Sequence, residues 1–207
     1  YIIKNMKNIA IIGSGGHSKI IVDLITELNI YKIIGFYDDN PNSKLYDIKY
    51  LGKIKNIDES IENVIIGIGN DTIRKNIYEE NKNLNWCSLI HPKSIVSKNA
   101  TIECGTVICA GAIIQTEAKI GKHCIVNTNC NIDHESIIGD FTSICPSSTI
   151  CGQVNIGNLT FIGANSTIIQ KIKIGNNCIV GAGSVIIHNI NSNSKIVGNP
   201  GKKIIIV

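Results

Sequence analysis

The chain has 207 residues, of which 43% are apolar and only 5% aromatic, and its formal charge at pH 7 is +4. That length holds one or two domains, and so mild a positive balance suits an anionic small molecule while excluding the footprint of a nucleic-acid binder. No apolar run is long enough to cross a bilayer, and no stretch reads as a signal peptide, so no membrane insertion is expected.

The eight cysteines form no CxxC pair, which argues against a zinc site. Free thiols in a reducing, cytoplasmic setting are expected instead. The single methionine is Met6, so residues 1–5 are expected to precede the natural start.

An apolar run, Ile9 to Ile12, leads into Gly13-Ser14-Gly15-Gly16-His17-Ser18, and Lys19 to Leu28 then carries apolar residues at helical spacing. Strand, glycine loop and helix is the arrangement in which backbone amides and a helix N-terminus receive a phosphate. Ser18 stands at the third glycine position of the dinucleotide fingerprint, which is therefore degenerate. A second strand, Lys32 to Tyr37, ends in Asp38-Asp39, about twenty residues past the loop, where a Rossmann-like sheet presents an acid to a ribose or base. The competing reading is a solvated Asp-Asp-Asn-Pro turn. Val64 to Gly69 reads as a third strand closed by the turn Gly67-Ile68-Gly69-Asn70, and Asp71 to Lys82 as a helix with Asp71 at its N-cap. Trp86 to Ile90 reads as a further strand running into His91-Pro92. The result is a small Rossmann-like α/β domain, residues 6–92, too short for two mononucleotide halves and better matched to a single nucleotide than to NAD-dependent redox chemistry.

From Val96 to Ile186 every sixth residue is Ile or Val, sixteen times without an insertion. A fixed short period of β-branched residues predicts a parallel β-helix, residues 93–190. Small residues sit two places before most of these aliphatics, among them Cys124, Cys130 and Cys178, and glycine recurs just after them. Aliphatic face centres with small corners describe a narrow triangular prism. Three faces make a coil of about 18 residues, so the span holds roughly five coils and rises about 25 Å at the parallel-strand spacing. Flat faces are an edge liability that trimerisation would relieve. The period fails after Ile190, and residues 191–207 read as a solvated C-terminal tail ending in a strand, in which Lys202 and Lys203 could alternatively meet a phosphate.

The unbroken register also works as a ruler. His134 falls at a corner, in a vertical column with Thr116, Gly152, Gln170 and His188. Gly152 therefore lies one rung away, roughly 4.8 Å. A basic imidazole beside a glycine N–H is a credible general base and oxyanion donor, and Asp133 or Glu135 could fix the tautomer and raise the basicity. The alternative is a solvent-facing histidine in a polar turn. His123 lies in another column and His188 three rungs away, too sparse a set for a trimeric metal hydrolase, and no metal is expected.

Taken together, Gly13-Ser14-Gly15-Gly16-His17, Gly35 to Asp39, Gly67 to Asn70, Leu89-Ile90-His91-Pro92 and Asn127-Thr128 through Asp133-His134-Glu135, joined to the hexapeptide repeat, resemble one bacterial family across essentially the whole chain from Met6. It is the left-handed β-helix sugar acetyltransferase family that contains UDP-4-amino-sugar N-acetyltransferases and sialic-acid O-acetyltransferases. The resemblance implies the left hand of the helix, a homotrimer with active sites between neighbouring prisms, acetyl-CoA as cosubstrate, and a role in glycan biosynthesis. It implies His134 as base, Glu135 as the acid that enhances it and Gly152 as the oxyanion amide. The nucleotide would be held by Gly15, Gly16, His17, Asp38, Asp39 and Gly69, and acetyl-CoA would run past Ser143, Ala164 and Ala182. Ser143 replaces a histidine, and Ala182 a glycine, found in one branch. The expected reaction is direct acetyl transfer to the amino group of a nucleotide-linked amino sugar. The rivals are O-acetylation of a sialic acid or polysaccharide sugar, and a non-catalytic nucleotide-binding scaffold whose prism serves only assembly.

Overall fold

A computed structural model describes residues 6–204, and their contacts divide the chain after Pro92. In the first unit, β1 (Lys7–Ile12), β2 (Tyr31–Tyr37), β3 (Tyr50–Gly52) and β4 (Val64–Ile66) form one parallel sheet in the order β3-β2-β1-β4. A parallel sheet needs near-continuous apolar strands because both its faces are covered. Ile9, Ile11, Ile12, Val64, Ile65 and Ile66 supply them, none more than 1% exposed. From β1 the chain goes first to β2 on one side and later to β4 on the other. The sheet thus has a switch point between β1 and β4, and ligands of open α/β sheets bind in the crevice beyond the carboxyl ends of the strands there.

The helix α1 (Gly16–Leu28) begins three residues earlier than its apolar spacing suggests, directly out of the glycine loop. Gly16 and His17 face nothing that breaks helix geometry, and apolar periodicity cannot register a first turn that buries no aliphatic side chain. Ile21, Leu24 and Ile25 are its buried face. The second helix, α2 (Asp71–Glu80), is capped by Asn70, whose side-chain oxygen accepts the Ile73 N–H at 2.9 Å. This corrects the expectation for Asp71, which lies inside the first turn, where its charge still favours the helix dipole. The predicted strand from Trp86 shrinks to Leu89–Ile90, because Trp86 makes one bridge to Val64 and spends its indole N–H on the Asn81 carbonyl at 3.0 Å.

The second unit is a parallel β-helix. Its strands are two-residue pieces, each ending on an aliphatic of the six-residue series, from Ile95–Val96 to Val185–Ile186. They pair with strands 18 residues away, as in Asn131↔Thr149 and Ile132↔Ile150. Aliphatics from Ile108 to Ile186 are at most 3% exposed, and only Val96 and Ile102, in the first coil, stay partly open. From Thr106 on the small corners are buried, and their hydroxyls link the rungs: Ser136 Oγ donates to the Cys151 carbonyl at 2.9 Å and accepts the Val154 N–H at 3.2 Å. Serine and threonine are thereby satisfied inside an apolar core. At Gly139 an added Cβ would stand 2.6 Å from the Asn158 nitrogen, so the face-ending glycines are there for close approach of successive coils. All eight cysteines are free, and Cys124, Cys130 and Cys178 are completely buried.

Past Ile186 the coil shortens by two residues, and Lys195–Val197 pairs with Ile179–Val180 sixteen residues earlier. Lys202–Lys203 then returns antiparallel against Ile196–Val197. Residues 191–204 are mostly exposed and end in a strand, while Ser194 and Ile196 turn inward; residues 205–207 lie outside the described residues. Ile196 is 7% exposed and closes the core, and the break in period is a shortened coil followed by a hairpin.

Candidate functional site

In the first unit the carboxyl ends of β1, β2 and β4 gather most of the residues expected to hold a nucleotide. Gly13 turns with φ +101° and donates its N–H to the Tyr37 carbonyl at 2.7 Å, tying the loop to the end of β2. Ser14 Oγ donates to Asp38 Oδ2 at 2.6 Å. Asp39 Oδ1 accepts the Ile54 N–H at 3.1 Å, beside a cavity of about 420 Å³ lined also by Lys53, Asn76 and Glu80. At Gly15, Gly16 and Gly69 an added Cβ would meet nothing within 4 Å, so these glycines border open space. No side chain caps the N-terminus of α1, which leaves its first amides free for an anion.

Gly67 shows how the degenerate fingerprint is compensated. A Cβ there would fall 2.9 Å from the Ser18 Cα, and Ser18 Oγ donates to the Gly67 carbonyl at 2.9 Å. Close packing of helix on strand, normally secured by a glycine in the helix, is secured here by a glycine after the strand.

His17 is partly exposed, yet its Nε2 is buried without a hydrogen-bond partner. Burial, followed by the charge of Arg74, lowers its pKa to about 4. The imidazole is thus neutral near pH 7 and acts as a dipole rather than a cation. Arg74 is the chain's single arginine, 1% exposed, and its Nη1 donates to the Ile68 carbonyl at 3.2 Å and the Gly69 carbonyl at 2.6 Å. It holds the second glycine turn in shape. Sequence reading passed over it, although the one arginine among twenty basic residues was a signal. A buried guanidinium that donates to both carbonyls fixes the turn from inside the domain.

In the second unit the column arithmetic holds at the corner. An added Cβ at Gly152 would lie 2.5 Å from His134 Nε2 and 2.7 Å from Cε1, so the imidazole rests directly on the glycine. The coil-to-coil bonds around it are Gln153 N–H to the His134 carbonyl at 2.9 Å and Lys171 N–H to the Gly152 carbonyl at 3.0 Å. His134 Nδ1 lies 2.9 Å from Glu135 Oε2, whereas Asp133 Oδ2 is 3.9 Å from Nε2 and Asp133 Oδ1 accepts the His134 N–H at 2.8 Å. Of the two flanking acids, Glu135 is the one that addresses the ring. A carboxylate at Nδ1 favours the proton there and leaves the lone pair on Nε2, the tautomer a base needs.

Glu135 also accepts from Gln153 Nε2 at 2.9 Å, a partner sequence reading missed although it lies one 18-residue step away. The Gln153 bond and then the His134 bond hold the Glu135 carboxyl below the usual carboxylate range. Shallow cavities flank the corner on both sides, one of about 130 Å³ by Asp133 and Cys151, the other of about 300 Å³ by Glu117, Lys119 and Glu135.

Ser143, Ala164 and Ala182 lie elsewhere on the prism. Ser143 is buried on the face strand Ser143–Ile144, while Ala164 and Ala182 stack on another vertical edge, where the Gly183 N–H donates to the Ala164 carbonyl at 2.8 Å. Within a single chain they are not brought to the His134 corner.

Comparisons with known proteins agree with both halves of this architecture. Residues 8–81 match the PglD N-terminal domain, and residues 153–188 match the bacterial transferase hexapeptide (six repeats). The class is thus that of a hexapeptide-repeat transferase. The acetyltransferase domain of PglB from Neisseria gonorrhoeae FA1090 superposes with a TM-score of 0.90 at 30% identity, covering 96% of this chain and 100% of that one. The chain belongs to the family of bacterial hexapeptide-repeat acetyltransferases that this domain represents. A perosamine N-acetyltransferase from Caulobacter crescentus, solved with CoA and GDP-perosamine, shares the fold with a TM-score of 0.89 at 24% identity, over 95% of this chain and 96% of that one. UDP-N-acetylbacillosamine N-acetyltransferase from Bacillus subtilis (strain 168) is 38% identical over 117 residues, 51% of this chain and 52% of that protein. The chain thus spans about half the length of the curated relative it matches. Among the described residues no helix is long and apolar enough to cross a membrane.

Proposed function

We propose that the protein is an acetyl-CoA-dependent N-acetyltransferase acting on the amino group of a nucleotide-linked amino sugar of the UDP-4-amino type. The observation that carries the reading is the contact of His134 Nε2 with Gly152, one rung apart, with Glu135 at Nδ1. The acceptor amine attacks the thioester carbonyl while Nε2 takes its proton. The developing oxyanion is met by the Gly152 N–H, which donates to no acceptor among the described residues. Collapse of the tetrahedral species breaks the C–S bond, and the imidazolium returns the proton to the departing CoA thiolate. No cysteine enters the column of His134, so no acyl-enzyme is formed.

The nucleotide is taken by the β1/β4 crevice, with the Gly15 and Gly16 amides and the neutral His17 on its phosphates and Asp38, Asp39 and Gly69 around it. Because Ser143, Ala164 and Ala182 stand on other parts of the prism, a complete acetyl-CoA site requires a neighbouring copy, which supports a homotrimer. The named relatives support acetyl-CoA and a nucleotide amino sugar as the substrate pair. We place the enzyme in the cytoplasm, serving glycan assembly. His134→Ala should lower turnover by roughly 10²–10⁴-fold, the usual worth of a general base. Near-wild-type turnover in that variant, with chemistry rate-limiting, refutes the assignment.

A further inference from the structure

Residues 117, 135, 153 and 171 form one corner column in which Glu117, Glu135, Gln153 and Lys171 all adopt the left-handed conformation, with φ of +61°, +58°, +61° and +63°. A non-glycine residue enters that region only where its surroundings impose it. The shared backbone conformation stacks these side chains up the edge at the rung spacing, roughly 4.8 Å. Gln153 Nε2 reaches down to Glu135 Oε2 at 2.9 Å, and the same oxygen lies 2.9 Å from His134 Nδ1.

We propose that Gln153 is a positioning residue for the base, holding the Glu135 carboxylate in the rotamer that faces His134 Nδ1. The proposal rests on the reading of His134 as base. Glu135 has 46% of its side chain exposed and several rotamers open to it, so a tether is needed to keep it on the ring. A neutral amide suits this task. It donates to the carboxylate without competing for the proton shared with His134, whereas an ammonium would draw the carboxylate away as an ion pair. The charges facing the pair are Asp133, with Oδ2 3.9 Å from Nε2, Glu117 one rung below Glu135, Lys119 in the cavity beside them, and Lys171 one rung above Gln153. The lowered pKa of Glu135 keeps it ionised across the range in which an imidazole titrates.

The test is a titration of the His134 ring nitrogens by NMR in the wild type, Gln153→Met and Gln153→Glu, paired with turnover against pH. Gln153→Met keeps the length and removes the donor. It should shift His134 from the Nδ1–H tautomer toward Nε2–H and move the acidic limb of kcat to lower pH. Its kcat should fall roughly three- to tenfold, the worth of one exposed hydrogen bond, with both KM values and the melting temperature unchanged. Gln153→Glu adds a second carboxylate and should move the limb the opposite way. An unchanged tautomer and limb in Gln153→Met, while His134→Ala is inactive, overturns the role of Gln153 and leaves the base standing. An active His134→Ala overturns the base itself. A fall in kcat accompanied by a lower melting temperature and an unmoved limb makes Gln153 structural and also overturns the proposal.

Discussion

Gly152→Ala isolates the geometry on which the site depends. The added methyl would stand 2.5 Å from His134 Nε2 and 2.7 Å from Cε1, against an ordinary contact of at least 3.4 Å, so the imidazole must retreat by about 1 Å. Nothing in the coil itself forbids a side chain there, since Thr116, Gln170 and His188 occupy the same column and Gly152 does not have a positive φ. Stability should therefore stay within about 1 kcal/mol, and replacing a glycine can even stabilise slightly by restricting the unfolded chain. A 1 Å misplacement of a catalytic group costs on the order of 100-fold. The expected outcome is a kcat about 100-fold lower with a melting temperature within a few degrees of wild type, read by thiol release and by calorimetry on the same preparation. Full activity in Gly152→Ala would mean that the imidazole does not work from its seat on the glycine. A collapse in melting temperature would mean that the corner is structural.

The first unit offers three further tests. Gly67→Ala places a methyl 2.2 Å from Ser18 Oγ and 2.9 Å from Ser18 Cα, so helix and strand must part; a loss of about 1–3 kcal/mol in urea unfolding is expected. Asn70→Ala removes the acceptor for the Ile73 N–H and should cost about 1 kcal/mol, while Asn70→Asp should be nearly neutral in the same measurement. His17 has its folded-state pKa lowered from 6.5 to about 4, so between those values the unfolded chain binds the proton and the folded one does not. Stability is therefore full above pH 6.5 and declines as pH falls toward 4, by at most about 3 kcal/mol from this residue. His17→Gln should flatten that part of the stability curve, and an unchanged slope would refute the burial argument.

The prism was legible because its physics is repetitive. Each coil buries one aliphatic per face, so a step of six gives the face and a step of eighteen gives the vertical neighbour. His134 over Gly152 followed by subtraction, and Gln153 over Glu135 was open to the same step. A neutral amide such as Gln153 carries no charge to mark it as a partner of the site. The shortened last coil was legible only as a failure of period, since Ile196 returns to the core in a register that spacing alone does not set.

In the first unit the sequence identified the elements but not their ends. Asn70 and Asp71 are both good caps, and the choice between them depends on which residue has extended backbone; Asn70 does, with φ −73° and ψ 122°. The sequence marks Gly67 as part of a turn, and its second role, as the seat of Ser18, appears only when the helix is docked on the sheet. Arg74 illustrates the same limit, because a buried guanidinium that holds carbonyls has no local pattern around it.

The central claim is transfer of acetyl from CoA to the amine of a nucleotide-linked sugar by the His134 corner. The most direct measurement is thiol release by the wild type and His134→Ala across UDP- and GDP-linked amino sugars and free sialic acid, with the product checked by mass for one added acetyl group. The account predicts rapid release and an N-acetylated product with a nucleotide amino sugar, slowed roughly 10²–10⁴-fold in His134→Ala. Release with sialic acid alone, or equal rates in the two proteins, would contradict it.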